Sequence, residues 1–211
     1  MRMARSLARL RRDASGVALI EFAFAAPVLL FMTLGGLELV NYELDQLRVN
    51  QIAMTVADNA GRVTTGIDEA NIYEVMAGAN VIGESMDFEK HGRIVLSSLQ
   101  DNEQKGGNHG QMINWQRCWG DLGTAPAYGT EGTGRTDASL PDGMGPAGNQ
   151  IAAIDGTAVM FVEVSYEYQP LISSKFLPLS GTIRRESAFN VRGRQNNDIS
   201  NAEDLKTLSC S

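Results

Sequence analysis

Residues 16–40 read GVALIEFAFAAPVLLFMTLGGLELV, the only long apolar run in a chain of 211 residues. Two carboxylates, Glu21 and Glu38, interrupt the run, and Pro27 lies in its middle. Residues 17–37 alone are long enough for a transmembrane helix, because about 20 helical residues cross the hydrocarbon core of a bilayer. The run therefore predicts a membrane-spanning helix with an unexplained acid, Glu21, near its beginning.

Charge is distributed unevenly on the two sides of this run. Residues 1–16 carry five arginines and one acid, a net charge of +4, whereas the remainder has 13 basic and 24 acidic residues, a net charge of −11. By the positive-inside rule the arginines place the N-terminus in the cytoplasm and the residues from about 41 onward outside it. The acidic body argues against a nucleic-acid partner, since phosphate binding requires a basic surface.

The chain has two cysteines, Cys118 and Cys210, which lie 92 positions apart with no metal-binding spacing around them. In an oxidising compartment outside the cytoplasm, they are expected to form a disulfide that holds the C-terminal tail on the body. The alternative is two unrelated buried thiols.

The N-terminal 40 residues allow three interpretations. A cleaved secretory signal would need a shorter, uniformly apolar core without Glu21 and Pro27. A plain signal anchor leaves Glu21 as a cost of roughly 2–3 kcal/mol at the bilayer centre. The third interpretation is a basic leader that ends in Gly16, followed by an apolar helix from Val17 with a glutamate at its fifth position and an aromatic, Phe22, after it.

This third pattern resembles the class III signal of type IV pilins. The resemblance implies that a prepilin peptidase cuts between Gly16 and Val17 and leaves the helix on the mature protein. The new ammonium group at Val17 would then pair with Glu21 of a neighbouring subunit, because a buried charge is tolerated only when it is paired. The alternative is a glutamate of no consequence that reaches the membrane surface.

The finer pattern resembles the TadE-like pseudopilins of the tight-adherence (Tad) pilus. It consists of Glu21–Phe22, a proline in the helix at Pro27, and Gly36 followed by Glu38. The large body and Phe22 favour a minor subunit. The resemblance implies other pilin or pseudopilin subunits, prepilin peptidase and an inner-membrane assembly platform as partners, with a single-pass location in the inner membrane, a periplasmic C-terminal domain and eventual export in the pilus.

Beyond the membrane run the helix is expected to continue to about residue 60. An apolar stripe recurs at mostly three- and four-residue steps, which predicts packing on the globular body, with a coiled-coil face as the alternative; its members are Leu37, Val40, Leu44, Leu47, Ile52 and Val56. The predicted organisation is a leader (1–16), a membrane half (17–40) and an amphipathic half (41–60) of one helix, and an extracytoplasmic domain (61–211).

The domain is predicted to be α+β and pilin-like. A second helix is expected over residues 67–82 and four strands over residues 93–99, 112–119, 157–168 and 182–191. Polar alternation predicts an antiparallel sheet with one side packed on the long helix. Residues 101–150 hold 11 of the 22 glycines and are expected to be loop, disordered in parts.

Nothing in the body predicts catalysis, a cofactor or a metal. The two histidines, His91 and His109, lie outside any catalytic motif, and the loop acids lack the spacing of a calcium site. The sequence therefore predicts a non-enzymatic minor pilin or pseudopilin of a Tad-type (type IVc) pilus that acts in assembly, initiation and surface adhesion. The alternatives are a signal-anchored periplasmic binding protein or enzyme, and a minor pseudopilin of a type II secretion system.

Overall fold

The computed structural model describes residues 15–172, 179–194 and 196–210. Helix α1 runs from Ser15 to Arg62 without interruption, as the sequence predicts for residues 17–60. The leader, predicted over residues 1–16, lies outside the described residues except for its last two. The chain forms two compact units. One comprises residues up to Tyr42 together with Pro170–Leu179, and the other comprises Glu43–Gln169 and Ser180–Ser211.

In the first unit, α1 presents its apolar side chains to the surroundings. Val17, Phe24 and Leu29 are each more than half exposed, as are most large apolar residues up to Val40. Pro27 lies inside the helix without breaking it. This part of α1 is long and apolar enough to cross a membrane. The predicted transmembrane helix is therefore present as a continuous helix with an apolar surface.

In the second unit, the remainder of α1 buries one face. Its buried apolar residues share the side of the helix that includes Asp45; they are Val49, Ile52, Ala53, Val56, Ala57 and Ala60. Leu44 and Leu47 remain 43% and 65% exposed, because at 100° per residue they project from the opposite side. The prediction that the apolar stripe packs in the core is thus confirmed for Ile52 and Val56. It is wrong for the other four members, which are exposed: Leu37, Val40, Leu44 and Leu47. Periodicity alone does not show which of two apolar stripes meets the core.

Helix α2, Glu69–Gly83, follows a two-residue strand, β1 (Ile67–Asp68). The Asp68 side chain accepts the backbone N–H of Ala70, and the Asn71 side chain accepts the backbone N–H of Asp68. These bonds cap the helix, since the first turn leaves its N–H groups without helical partners. A 3₁₀ turn, Glu84–Met86, and the short helix α3, Phe88–His91, then lead into the sheet.

The sheet is antiparallel, with strand order β3-β2-β4-β5. Its strands are β2 (Gly92–Asp101), β3 (Gln111–Trp119), β4 (Ala158–Glu167) and β5 (Thr182–Asn190). All four were predicted to within a few residues. A last two-residue strand, β6 (Ile199–Ser200), pairs in parallel with β1. The α+β prediction, a long apolar helix with a small antiparallel sheet, is confirmed.

Both faces of the sheet are covered, whereas the sequence predicted a sheet with only one covered face. On the face that carries Tyr166, the tyrosine ring stacks on Phe88 and its hydroxyl donates to the Met86 carbonyl. On the other face, Glu163 and Ser165 are 9% and 7% exposed. There the sheet meets a second apolar cluster, made of Leu99, Ile113, Leu140, Met144, Ala153, Val159 and Phe161.

The glycine-rich connection between β3 and β4 supplies that cover; it is irregular, as expected of a loop, and makes many backbone contacts. Gly134 and Gly143 have φ of +79° and +98°, and a Cβ on either would lie 2.1 Å from a backbone oxygen, that of Gln111 or of Ile151. These glycines therefore permit close backbone contact. Bridges between Gln111 and Leu140 and between Met144 and Ile151 fix the segment further.

Candidate functional site

The residues predicted to direct processing and subunit contact lie along the first turns of α1. Gly16, Val17, Glu21 and Phe22 are all exposed, Phe22 by 70%. Within the described part of the chain, Glu21 has no hydrogen bond or ion pair. The helix therefore presents a carboxylate on an apolar surface, without a partner among the residues that the structure describes.

The second glutamate of the apolar run has the opposite environment. Glu38 is fully buried, and its Oε2 accepts the backbone N–H of Ile172 at 2.9 Å. Both residues belong to the first unit. Gly36, two positions earlier, is exposed, and a Cβ there would meet nothing within 4 Å. The predicted family positions Gly36 and Glu38 are thus in different environments, and Glu38 holds a backbone segment in place.

The C-terminal tail is fixed to the domain at several points. Cys118 and Cys210 form the expected disulfide, with 4.9 Å between their Cα atoms. The Cys118 N–H donates to the Leu208 carbonyl at 2.7 Å, and the Tyr73 hydroxyl donates to the Lys206 carbonyl at 2.7 Å. Asn197 accepts the indole N–H of Trp115. Backbone contacts that sequence reasoning did not anticipate therefore support the cross-link.

The most buried ion pairs of the domain centre on Arg117. Its Nη2 lies 2.6 Å from Glu69 Oε1 and its Nη1 lies 3.0 Å from Glu131 Oε2. The side chains of Arg117 and Glu69 are 8% and 2% exposed, whereas that of Glu131 is 52% exposed. The arginine thus joins α2 to β3 and to the glycine-rich connection. Alternation in the sequence of β3 groups Arg117 with Ile113 and Trp115, which are buried, but gave no sign of the acids that Arg117 contacts.

The groups considered for chemistry are dispersed or occupied. His91 lies 3.9 Å from Asp87 and His109 lies 3.8 Å from Asp101. Cys118 carries no free thiol, because it is in the disulfide with Cys210. Among the described residues, no group of three or more His, Cys, Asp or Glu side chains is arranged to hold a metal ion.

Sequence reasoning also missed two buried polar residues that hold the glycine-rich connection. The Asn102 amide donates to the carbonyls of Asn108, Gly134 and Asp137. Glu163 accepts the backbone N–H of Ala127 at 2.8 Å. An asparagine directly after a strand is a common turn signal, so Asn102 was the more recognisable of the two.

Comparison with known proteins locates a family signature on α1. Residues 16–58 match the family model described as TadE-like protein. No curated protein and no solved structure matches the chain. The matched range begins at Gly16 and includes Glu21, Pro27, Gly36 and Glu38. TadE-like proteins are pilus components and not a known enzyme family. The TadE-like match thus coincides with the membrane-length part of α1.

Proposed function

We propose that this protein is a minor pilin or pseudopilin of a Tad-type pilus, processed after Gly16, that acts in assembly, initiation and surface adhesion. The observation that carries the proposal is that the TadE-like match coincides with a continuous apolar helix on which Glu21 has no partner within the described chain. An apolar surface of this extent needs a membrane or other subunits to cover it.

Glu21 supplies the specific contact. Cleavage after Gly16 creates an ammonium group at Val17, on the same apolar surface. In a bundle of such helices each charge alone is costly, whereas a pair between two subunits neutralises both and fixes their axial register. The role of Glu21 is therefore positional, and it requires a second pilin-like subunit.

Further contacts come from the exposed stripe in the second unit. Leu44, Leu47 and Met54 are 43%, 65% and 48% exposed and recur at three- and seven-residue steps along one side of α1. This is the spacing of an interhelical seam. We therefore assign this side of the helix to packing against neighbouring subunits, and the opposite side to the core of the domain.

The domain organisation follows from this role. Residues 1–16 are the leader that is removed, residues 17–40 span the inner membrane before assembly, and residues 61–211 form the periplasmic domain. The disulfide between Cys118 and Cys210 is in keeping with an oxidising compartment. Prepilin peptidase and the inner-membrane assembly platform are the partners in this stage, and other pilin-like subunits are the partners in the pilus.

The N-terminus of the mature protein tests the proposal directly. Intact-mass and N-terminal peptide spectrometry on membrane fractions should find a chain that begins at Val17, and Gly16→Val should leave the leader attached. An intact Met1 terminus would contradict processing and favour a signal-anchored periplasmic protein. A terminus after Ala26 would show an ordinary cleaved signal.

Substitution of the carboxylate separates processing from assembly. Glu21→Gln should leave cleavage largely intact and reduce surface piliation, because the shape is kept and the charge is lost. Glu74→Gln is the matched control, since Glu74 is exposed on α2 of the domain, away from the side of α1 assigned to subunit contacts. Normal piliation in the Glu21 variant would remove the charge-pairing role. Loss of protein secretion with intact pili would instead assign the chain to a type II secretion system.

A further inference from the structure

Arg194 is a buried cation with an unusual lack of partners. Its residue is 6% exposed. Nε lies 3.3 Å from Asn197 Oδ1 and Nη2 lies 4.0 Å from Met160 Sδ, while Nη1 is buried with no hydrogen-bond partner. No described carboxylate lies within ion-pair distance of it. Burial lowers the pKa of Arg194, but a guanidinium stays protonated in proteins.

Arg117, which is equally buried, shows that Arg194 lacks a carboxylate partner among the described residues. Arg117 is also 6% exposed, and it contacts the carboxylates of Glu69 and Glu131. Buried charges in proteins are normally paired, because an unpaired one loses its hydration without compensation. Within the described residues, Arg194 has an asparagine oxygen and a thioether where Arg117 has two acids.

Arg194 also borders a cleft of about 320 Å³ that opens to the surface. The cleft is lined by Thr64, Thr65, Gly66, Gly193, Arg194 and Asn196, and the arginine is the only charged residue in the described part of this lining. Thr64 and Thr65 are exposed, belong to the same lining and carry hydroxyl groups that can donate hydrogen bonds. Gly66 and Gly193 leave open space where a side chain would be.

This donor set matches one ligand chemistry. A guanidinium with hydroxyl groups beside it, and no competing carboxylate, recognises the oxygens of a small oxyanion. We infer that the cleft lined by residues 64–66 and by Gly193, Arg194 and Asn196 binds a small oxyanion, with Arg194 as the charge and Thr64 and Thr65 as hydroxyl donors. Because protein atoms cover Nη1 in the unliganded protein, the guanidinium moves toward the cleft on binding. The inference is independent of the pilus assignment.

Inorganic phosphate is the probe for this site. The full-length protein, in a detergent without phosphate groups, is titrated with phosphate against chloride at matched ionic strength. Phosphate should raise the melting temperature saturably, because a ligand that binds only the folded state stabilises it. Hydrogen exchange followed by mass spectrometry should show new protection confined to residues 63–66 and 191–196.

Variants assign the effect to the cleft. Arg194→Gln should weaken phosphate binding at least about tenfold, since hydrogen bonds to charged groups are the stronger class. Arg184→Gln, at an exposed arginine on β5, should leave binding unchanged. If Arg194→Gln does not fold, the exposed pair Thr64→Val and Thr65→Val together should still weaken binding. A wild-type protein without a saturable phosphate response, or one matched by the variants at the cleft, would overturn the assignment.

Discussion

The carboxylate of Glu38 accepts a hydrogen bond from the backbone N–H of Ile172, which lies 134 positions later in the chain, at 2.9 Å. Glu38 is fully buried, whereas Glu21, in the same apolar run, is exposed. The two acids of the matched segment therefore lie in opposite environments. Glu38 orders a backbone segment of its own unit, and the proposed function assigns Glu21 to contact with another subunit.

Replacing Glu38 should release the backbone that it holds. Glu38→Ala removes the acceptor of the Ile172 N–H, and an amide that loses such a bond loses about 1–3 kcal/mol of local protection. Hydrogen exchange at Leu171 and Ile172 should therefore speed up, with helix content unchanged. Glu43→Ala, exposed on the same helix, is the control. Equal exchange at Ile172 in both variants would show that the bond does not order this segment.

The two acids that contact Arg117 should differ sharply in their effect on stability. Glu69 is almost fully buried and Glu131 is half exposed. Removing one partner of a buried ion pair costs about 3–5 kcal/mol, because the other charge stays buried, whereas an exposed pair contributes about 0–1 kcal/mol. Glu69→Gln should thus lower the free energy of unfolding far more than Glu131→Gln, as urea titration would measure. Comparable losses in the two variants would contradict this ranking.

The disulfide should stabilise both the domain and its tail. The double variant Cys118→Ser, Cys210→Ser is expected to lose about 2–5 kcal/mol of unfolding free energy, because the cross-link limits the unfolded chain. Exchange at residues 198–208 should also increase. A reductant should destabilise the wild-type protein and leave the variant unaffected. A variant as stable as the oxidised protein would mean that the hydrogen bonds of Leu208 and Lys206 suffice.

The elements of this fold were predictable because local signals coincide with them. Uninterrupted apolar and amphipathic residues gave α1, and β-branched runs between turn residues gave the four strands. The capping box at Asp68 is likewise a short-range signal. Each of these features is decided within about ten residues, so the sequence alone suffices to place it.

The second core was not predictable, because it depends on long-range contacts. Alternation along β4 puts Glu163 on a polar face, yet the connection between β3 and β4 folds over that face and buries it. The glycines of the connection indicated a loop, and nothing local distinguishes a flexible glycine from one that allows close backbone approach, such as Gly134. The same limit concealed the acidic partners of Arg117 and the outward direction of Leu47.

Glu163 makes the stability of the domain sensitive to pH. Burial raises its pKa from 4.5 to about 7, and its cross-strand neighbour Glu186 acts in the same direction, while the Ala127 N–H and Arg184 lower it. The folded state thus favours the protonated acid. Below about pH 4.5 Glu163 is protonated in both the folded and the unfolded protein, so its raised pKa does not affect stability. As the pH rises to about 7, the unfolded protein ionises more readily, and the free energy of unfolding falls. The loss levels off above that pH at about 3 kcal/mol.

Glu163→Gln should remove this dependence, because the amide keeps the acceptor for Ala127 and carries no charge. We expect the wild-type melting temperature to fall between pH 5 and pH 8 and that of the variant to fall less, so that the variant is the more stable protein at pH 8. Glu167→Gln is the matched control, since Glu167 is exposed at the end of the same strand and should reproduce the wild-type profile. Parallel profiles for the wild type and the Glu163 variant would show that another group governs the pH response, and a less stable variant at pH 8 would show that the ionised carboxylate is needed by the Ala127 N–H.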